Sequence, residues 1–302
     1  MFNIFINDLL FHTFNSNIYN YADDNTLSLT GQNINDVTKK LEDDCQTAID
    51  WFKLNKMKAN AEKFQVMFLN RHESVVNKEL IVNGTEIKST KSINILGIEL
   101  DNDLSFDLHI NDICNQTGKQ VNALKRIKHS LDKPCKTTIY NSYISSNFNY
   151  CQVGWMFTDK TNLKKLEKTN KRALRLVTNK FDLDYESICE QEKQFSIYKR
   201  CIKQVALQMY KIKRNMAPQY LQSLFTSKES NYDMRDTDNF LIPNFSTITY
   251  GKRSLKYYGA KLWSKIPVNI KSLDTLKSFK SAVNAWLRNM VNTHDLDCIS
   301  EI

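Results

Sequence analysis

Two periods of apolar spacing divide this 302-residue chain: short alternations near its start, and helical repeats over most of the remainder. Residues 17–22 and 25–30 carry the β-branched and aromatic enrichment of short strands, with paired acids between them. Residues 36–56 predict an amphipathic helix, with Val37, Leu41, Ala48, Ile49 and Phe52 inward and Glu42, Asp43 and Asp44 outward. Phe64, Val66 and Phe68 alternate as a strand would. Residues 80–87 hold Asn83-Gly84 between strand formers, a strong hairpin signal. Residues 93–100 predict a further strand, in which Gly97 marks either a bulge or a close approach of another backbone. The apolar opening, residues 2–11, predicts a buried helix.

Beyond Asp107 the pattern turns helical. Ile110, Ile113, Val121, Leu124, Ile127 and Leu131 recur on one face, with Lys119, Lys125, Arg126 and Lys128 near the other. Residues 134–148, 161–177 and 195–214 predict further helices, and residues 228–239 a polar loop. Leu276, Phe279, Val283, Trp286 and Met290 close the chain with a helical stripe. Residues 161–177 set Lys164, Lys165, Lys168, Lys171, Arg172 and Arg175 against one acid, Glu167, over a stripe of Leu163, Leu166, Ala173, Leu174 and Val177. That face reads either as solvated or as a contact for nucleic-acid phosphates. Trp263 and Trp286 read as core residues or as stacking platforms.

Composition bounds these readings. Seven glycines and four prolines in 302 residues argue against low complexity, and 41% hydrophobic content supplies a sizeable core. A net charge of +9 suits a polyanionic partner. Seven scattered cysteines, without a C-x-x-C pair, predict no zinc module and a reducing compartment. No apolar run is long enough to span a bilayer, so no membrane partner is expected.

The most informative stretch is Tyr21-Ala22-Asp23-Asp24. Tandem carboxylates at a hairpin tip are either an ordinary solvated turn or hard oxygen ligands for a divalent cation in phosphoryl transfer. Phe2-Asn3-Ile4-Phe5-Ile6-Asn7-Asp8-Leu9 precedes them, Trp51, Asn55, Asn60 and Lys63 follow, and Ile95-Leu96-Gly97-Ile98-Glu99-Leu100-Asp101 leads to Leu104-Ser105-Phe106 and His109-Ile110. In this order the motifs closely resemble the reverse transcriptases of non-LTR, LINE-type, jockey-like retrotransposons. Gly259-Ala260-Lys261-Leu262-Trp263-Ser264-Lys265-Ile266-Pro267 resembles a signature of the C-terminal extension in such elements, with Ser264 and Ile266 as variants.

The resemblance implies an α+β fold: a partial palm of antiparallel sheet with packed helices over residues 1–106, thumb-like helices over 107–150, and a mainly α-helical extension over 151–302. It implies RNA-templated DNA synthesis with Mg2+ or Mn2+ held by Asp23 and Asp24, and Lys63 as a proton donor to the departing pyrophosphate. Tyr21, Gly97, Lys125 and Arg126, with Lys164, Lys165, Lys168, Lys171, Arg172 and Arg175, are the candidate contacts to RNA template and DNA primer or target. The implied location is intracellular, nuclear or cytoplasmic. The family also carries a catalytic aspartate on an earlier palm strand and a glutamine-glycine motif, and neither stands before Tyr21 here. The expectation is therefore an N-terminally truncated and catalytically incomplete polymerase. The alternative is a non-catalytic nucleic-acid-binding relic of a mobile element.

Overall fold

The computed structural model describes residues 2–12, 14–69, 78–227 and 239–290. The loop predicted at 228–239, apart from Asn239, and Cys298 lie outside them. The fold is α+β, in two compact units, Met1–Asp103 and Leu104–Ile302.

The first unit is arranged around one helix. Helix α1 (Phe2–Ile6) runs into a 3-10 turn (Asn7–Phe11), then strands β1 (Asn17–Tyr21) and β2 (Asp24–Ser28) form a hairpin. Helix α2 (Ile34–Leu54) follows, and β3 (Glu79–Val82) with β4 (Thr85–Lys88), and β5 (Ser92–Ile95) with β6 (Ile98–Asp101), complete the unit. Among the described residues the strands make three separate two-stranded antiparallel sheets. One side of α2 packs Ile49 against Phe68, Leu80, Val82 and Ile87. Another packs Ala48 and Trp51 against Ile6 and Leu9, with Ile18 of β1 alongside. The opening segment is thus only half buried, since Ile4 and Phe11 face solvent.

Two acids expected to be solvated on the outer face of α2 instead hold backbone N–H groups of other segments, Asp44 in the interior and Glu42 at the surface. Asp44 is buried and its carboxylate accepts from the Asn15 amide N–H at 3.0 Å, Asn15 Nδ2 at 2.9 Å and the Ser16 N–H at 2.7 Å. Glu42 accepts from the Ile81 N–H at 2.7 Å. Both hairpins are therefore tied to α2 by backbone N–H groups that donate to its carboxylates, and for the buried Ser16 N–H an unpaired donor would be costly.

Turn chemistry explains the other departures. Asn83 and Gly84 adopt φ of 51° and 74°, as the expected hairpin turn requires. Leu96 and Gly97 do the same at 49° and 82°, so residues 93–100 form a hairpin and Gly97 is a turn residue, neither bulge nor strand interior. Asn94 Oδ1 accepts from the Gly97 N–H at 2.9 Å and supports a leucine in a conformation that costs roughly 1–2 kcal/mol. Phe64 to Phe68 is not a regular strand: only Val66 bridges to Ser89, although Phe64, Val66 and Phe68 join the core.

The second unit is helical. It contains α3 (Asp107–Ile127), α4 (Lys133–Ile139) continued by a π-helical turn (Tyr140–Ile144) into α5 (Ser145–Asn149), α6 (Gln152–Trp155), α7 (Lys160–Thr178) and α8 (Tyr185–Gln191). Then come α9 (Ile197–Lys213), α10 (Gln219–Gln222), α11 (Leu255–Lys265), α12 (Val268–Lys271) and α13 (Leu276–Asn289). Helix α9 is the core element, with Ile202, Val205, Ala206, Met209 and Tyr210 fully buried. Tyr210 stacks on Phe279 at 4.3 Å between centroids. A Cβ on Gly259 would lie 2.5 Å from Met209 Sδ, so the glycine of the Gly259-Ala260-Lys261-Leu262-Trp263 signature is what lets α11 approach α9. Trp263 is buried core and Trp286 half buried, with Leu287 rather than Met290 completing the inward stripe. Ile127, expected inward, is half exposed.

Inside this unit Arg200 donates to Tyr140 Oη at 2.8 Å and Ser145 Oγ at 2.6 Å, and Tyr140 donates to Asn170 Oδ1 at 2.7 Å. Asn170 Nδ2 in turn reaches Tyr185 Oη at 2.6 Å. The chain of bonds ties the π-helical turn to α7, α8 and α9.

Asp44→Ala should raise amide exchange across β1 and β2 by roughly 30- to 1000-fold, equivalent to about 2–4 kcal/mol for stranding three donors. Burial pushes the Asp44 carboxyl up, but the bonds from Asn15 and Ser16 outweigh it and hold the group below its ordinary value. Its contribution is then complete above the unfolded carboxyl pKa of about 3.9 and is lost as pH falls through the lower folded value; Asp44→Asn removes that acid-dependent loss. Hairpin exchange that is unchanged in Asp44→Ala would remove the anchor from this account.

Candidate metal hairpin and basic helix pair

Strand β1 pairs with β2 in the register Tyr21↔Asp24, Asn20↔Asn25 and Ile18↔Leu27, which leaves Ala22 and Asp23 as the two-residue tip. Ala22 takes a left-handed φ of 51° to close it. Cross-strand partners share a face, so Ile18, Asn20, Asn25 and Leu27 form the half-buried side, and Tyr19, Tyr21 and Asp24 the exposed one. Asn25 Nδ2 donates to the Asp23 carbonyl at 3.2 Å and braces the tip. Asp23 and Asp24 project into solvent, and among the described residues no hydrogen bond or ion pair engages either carboxylate.

Two exposed acceptor-only side chains on a braced tip fit the oxygen chemistry of Mg2+ or Mn2+, which needs carboxylates and retains water and substrate phosphates for the remaining positions. Among the described residues no group of three His, Cys, Asp or Glu side chains is placed to hold a metal. The remaining first-unit candidates stand on other elements. Lys63 ends a 3-10 turn (Ala61–Lys63) whose cap, Asn60, accepts from the Glu62 N–H at 3.1 Å. Gly97 lies in the turn of the β5–β6 hairpin.

In the second unit α3 and α7 lie side by side and run in the same direction. Asn162 Nδ2 donates to Asp107 Oδ1 at 2.5 Å, Lys165 Nζ to Asn111 Oδ1 at 3.1 Å, and Arg172 to Asn122 Oδ1, bonds that advance together along both helices. Lys165 and Arg172 therefore straddle the seam. Lys164 and Lys168 are exposed on α7, and Lys119, Lys125 and Arg126 are exposed on α3. The single acid of α7 does not neutralise this surface. Glu167 turns inward and accepts from the Ile197 and Tyr198 N–H groups at 3.1 and 2.8 Å, closing the start of α9; burial pushes its carboxyl up.

The six basic candidates of α7 thus separate. Lys164, Lys165, Lys168 and Arg172 are on the surface, Lys171 is half buried, and Arg175 donates to the Leu183 carbonyl at 3.0 Å, holding the chain after the helix. Asp44, Glu167 and Arg200 were missed by periodicity, because an acid or base that turns inward to backbone groups looks in sequence like any solvated charge.

Comparison with known proteins finds relatives over about half of the chain. The chain is 27% identical over 165 residues to the "RNA-directed DNA polymerase from mobile element jockey" of Drosophila melanogaster, a stretch covering 53% of this chain and 18% of that protein. It is 24% identical over 163 residues to the "Probable RNA-directed DNA polymerase from transposon BS" of the same organism, again 53% and 18%. The chain is similar to jockey-like RNA-directed DNA polymerases. The resemblance carried by the motifs is borne out by both relatives, of whose length the matched stretch spans less than a fifth. No family model and no solved structure matches the chain.

Arg175→Ala should lower the melting temperature by the equivalent of about 1–3 kcal/mol, because it strands the Leu183 carbonyl. An equal loss in Lys168→Ala, which breaks no bond in the structure, would contradict this division of the helix.

Proposed function

We propose that this chain is a reverse-transcriptase-related polypeptide in which the first unit supplies palm-type elements and the second supplies thumb-like helices and a helical extension. The observation that carries the reading is the exposed tandem Asp23–Asp24 tip on a hairpin hung from α2 by Asp44, in a chain similar to jockey-like RNA-directed DNA polymerases. Asp23 and Asp24 would hold Mg2+ or Mn2+, and a divalent pair in such sites stabilises the attacking and leaving oxygens of phosphoryl transfer. Lys63, exposed on its 3-10 turn, is the candidate donor to pyrophosphate. The α3–α7 surface is the candidate support for RNA template and DNA primer, through phosphate contacts that are indifferent to sequence.

The resemblance implies a further catalytic aspartate on an earlier palm strand, so residues 1–302 by themselves are expected to bind the cation and nucleic acid without polymerising. Mn2+ added to the full chain should broaden the amide resonances of residues 21–25, and Asp23→Asn with Asp24→Asn should abolish that broadening. Broadening that survives both substitutions, or that never appears, ends the metal reading. Primer extension on an RNA template should yield no product; template-dependent DNA synthesis abolished by Asp23→Ala would show that the site is complete after all.

A non-catalytic nucleic-acid-binding role is favoured by one separate observation, the carboxylate-poor α3–α7 surface. Reversing Lys165, Lys168 and Arg172 to glutamate should shrink the slope of log K against log salt by about 0.9 for each phosphate that is no longer neutralised. An unchanged slope would remove this surface from both readings.

A further inference from the structure

Helices α9 and α13 pack together in the second unit, and neither contains a single aspartate or glutamate. Lys203 of α9 sits half buried with its Nζ 5.6 Å from the centre of the Phe195 ring, and the Arg288 guanidinium of α13 lies 5.7 Å from the same ring. One aromatic side chain therefore gathers cations from two helices. Lys280, Asn284 and Arg288 recur at four-residue spacing on one exposed or half-exposed stripe of α13, so its two cations stand about 12 Å apart along the axis.

Among the described residues no carboxylate forms an ion pair with Lys203, Lys280 or Arg288. Partial burial, together with Lys280, Arg200 and Arg288, holds the Lys203 ammonium below its ordinary pKa. Folding thus crowds like charges at some cost to stability, which a merely solvated basic face avoids by spreading them.

We propose that Lys203 and Arg288, gathered at Phe195, together with Lys280 on the same stripe of α13 as Arg288, form a second phosphate-binding site for a nucleic-acid strand, separate from the α3–α7 surface. A row of cations without interspersed acids suits a ligand that repeats its negative charge. Neither helix exposes a large apolar side chain, and a surface that lies in a lipid headgroup layer needs such side chains beside its cations. Cations over an aromatic ring keep their charge outward while their stems are packed, so the array is held in place before a strand arrives. The inference goes beyond the proposed function and does not require the metal hairpin.

The test uses the full chain, fluorescent single-stranded RNA, single-stranded DNA and a DNA duplex, and vesicles of mixed phosphatidylcholine and phosphatidylserine. Lys280→Gln with Arg288→Gln, both at exposed positions, should weaken binding to at least one nucleic acid about tenfold near 100 mM salt. The salt slope should fall by roughly 2. Adding Lys203→Gln should weaken binding further and leave the melting temperature equal or higher, because the crowding is relieved, and Lys280→Arg should retain binding. Unchanged affinity and slope in the double variant would overturn the site, as would loss of vesicle binding with nucleic-acid binding intact. If reversal at Lys165, Lys168 and Arg172 flattens the slope while the α13 substitutions do not, this site falls and the α3–α7 surface stands.

Discussion

A buried carboxylate accepting three donors from the segment before β1 is the constraint on which the first unit depends. Two-stranded hairpins are marginal by themselves, and the tip that carries Asp23 and Asp24 has only a half-buried inner face. Asp44 supplies what the hairpin lacks: a fixed starting point, set by bonds to Asn15 and Ser16 at the residue before β1 begins. Glu42 does the same for β3 through Ile81. One helix thereby sets the position of two hairpins with two acids a half-turn apart, while Ile49 and Trp51 bury its apolar sides. Uncompensated, the buried Asp44 carboxylate would lose more by leaving water than the helix gains from packing, so it and the Asn15 and Ser16 donors stabilise one another.

The second unit handles its polar groups by the same rule at a larger scale. Helix α9 is buried along most of its length, and its one internal cation, Arg200, is accommodated because Tyr140, Ser145 and the Phe195 carbonyl all accept from it. Glu167 closes the start of that helix from α7. Removing the one acid of α7 to the interior has a consequence outside: the cations of α7 remain on a surface with few opposing charges. Internal satisfaction of polar groups and external basicity are in this way one arrangement.

The charge of the chain is therefore organised, and its organisation separates roles that composition merges. Arg175 is a tie to the following loop, Arg200 a buried organiser, Lys165 and Arg172 span a helix seam, and Lys203 and Arg288 meet over one ring. A net charge of +9 describes none of these differences. A substitution at Arg175 or Arg200 alters the fold before it alters any surface.

The sequence by itself determined the helices, the Asn83-Gly84 turn, the acidic hairpin and the likeness to jockey-like polymerases, because apolar periodicity, turn dipeptides and ordered motifs are local properties of the chain. Only the tertiary structure decided the direction of individual polar side chains. Asp44 and Asp43 are adjacent and alike in sequence, yet one is buried at 2% exposure, because a backbone donor 29 residues away faces it. Leu96-Gly97 is no standard turn dipeptide, and it closes a hairpin because a strand pairing and Asn94 hold a leucine at positive φ. The grouping of Lys203 with Arg288 was equally hidden, since these residues stand far apart in the chain and meet only when α13 packs on α9. Local pattern specifies which face is apolar; what a charge touches depends on distant segments, and that is set by packing.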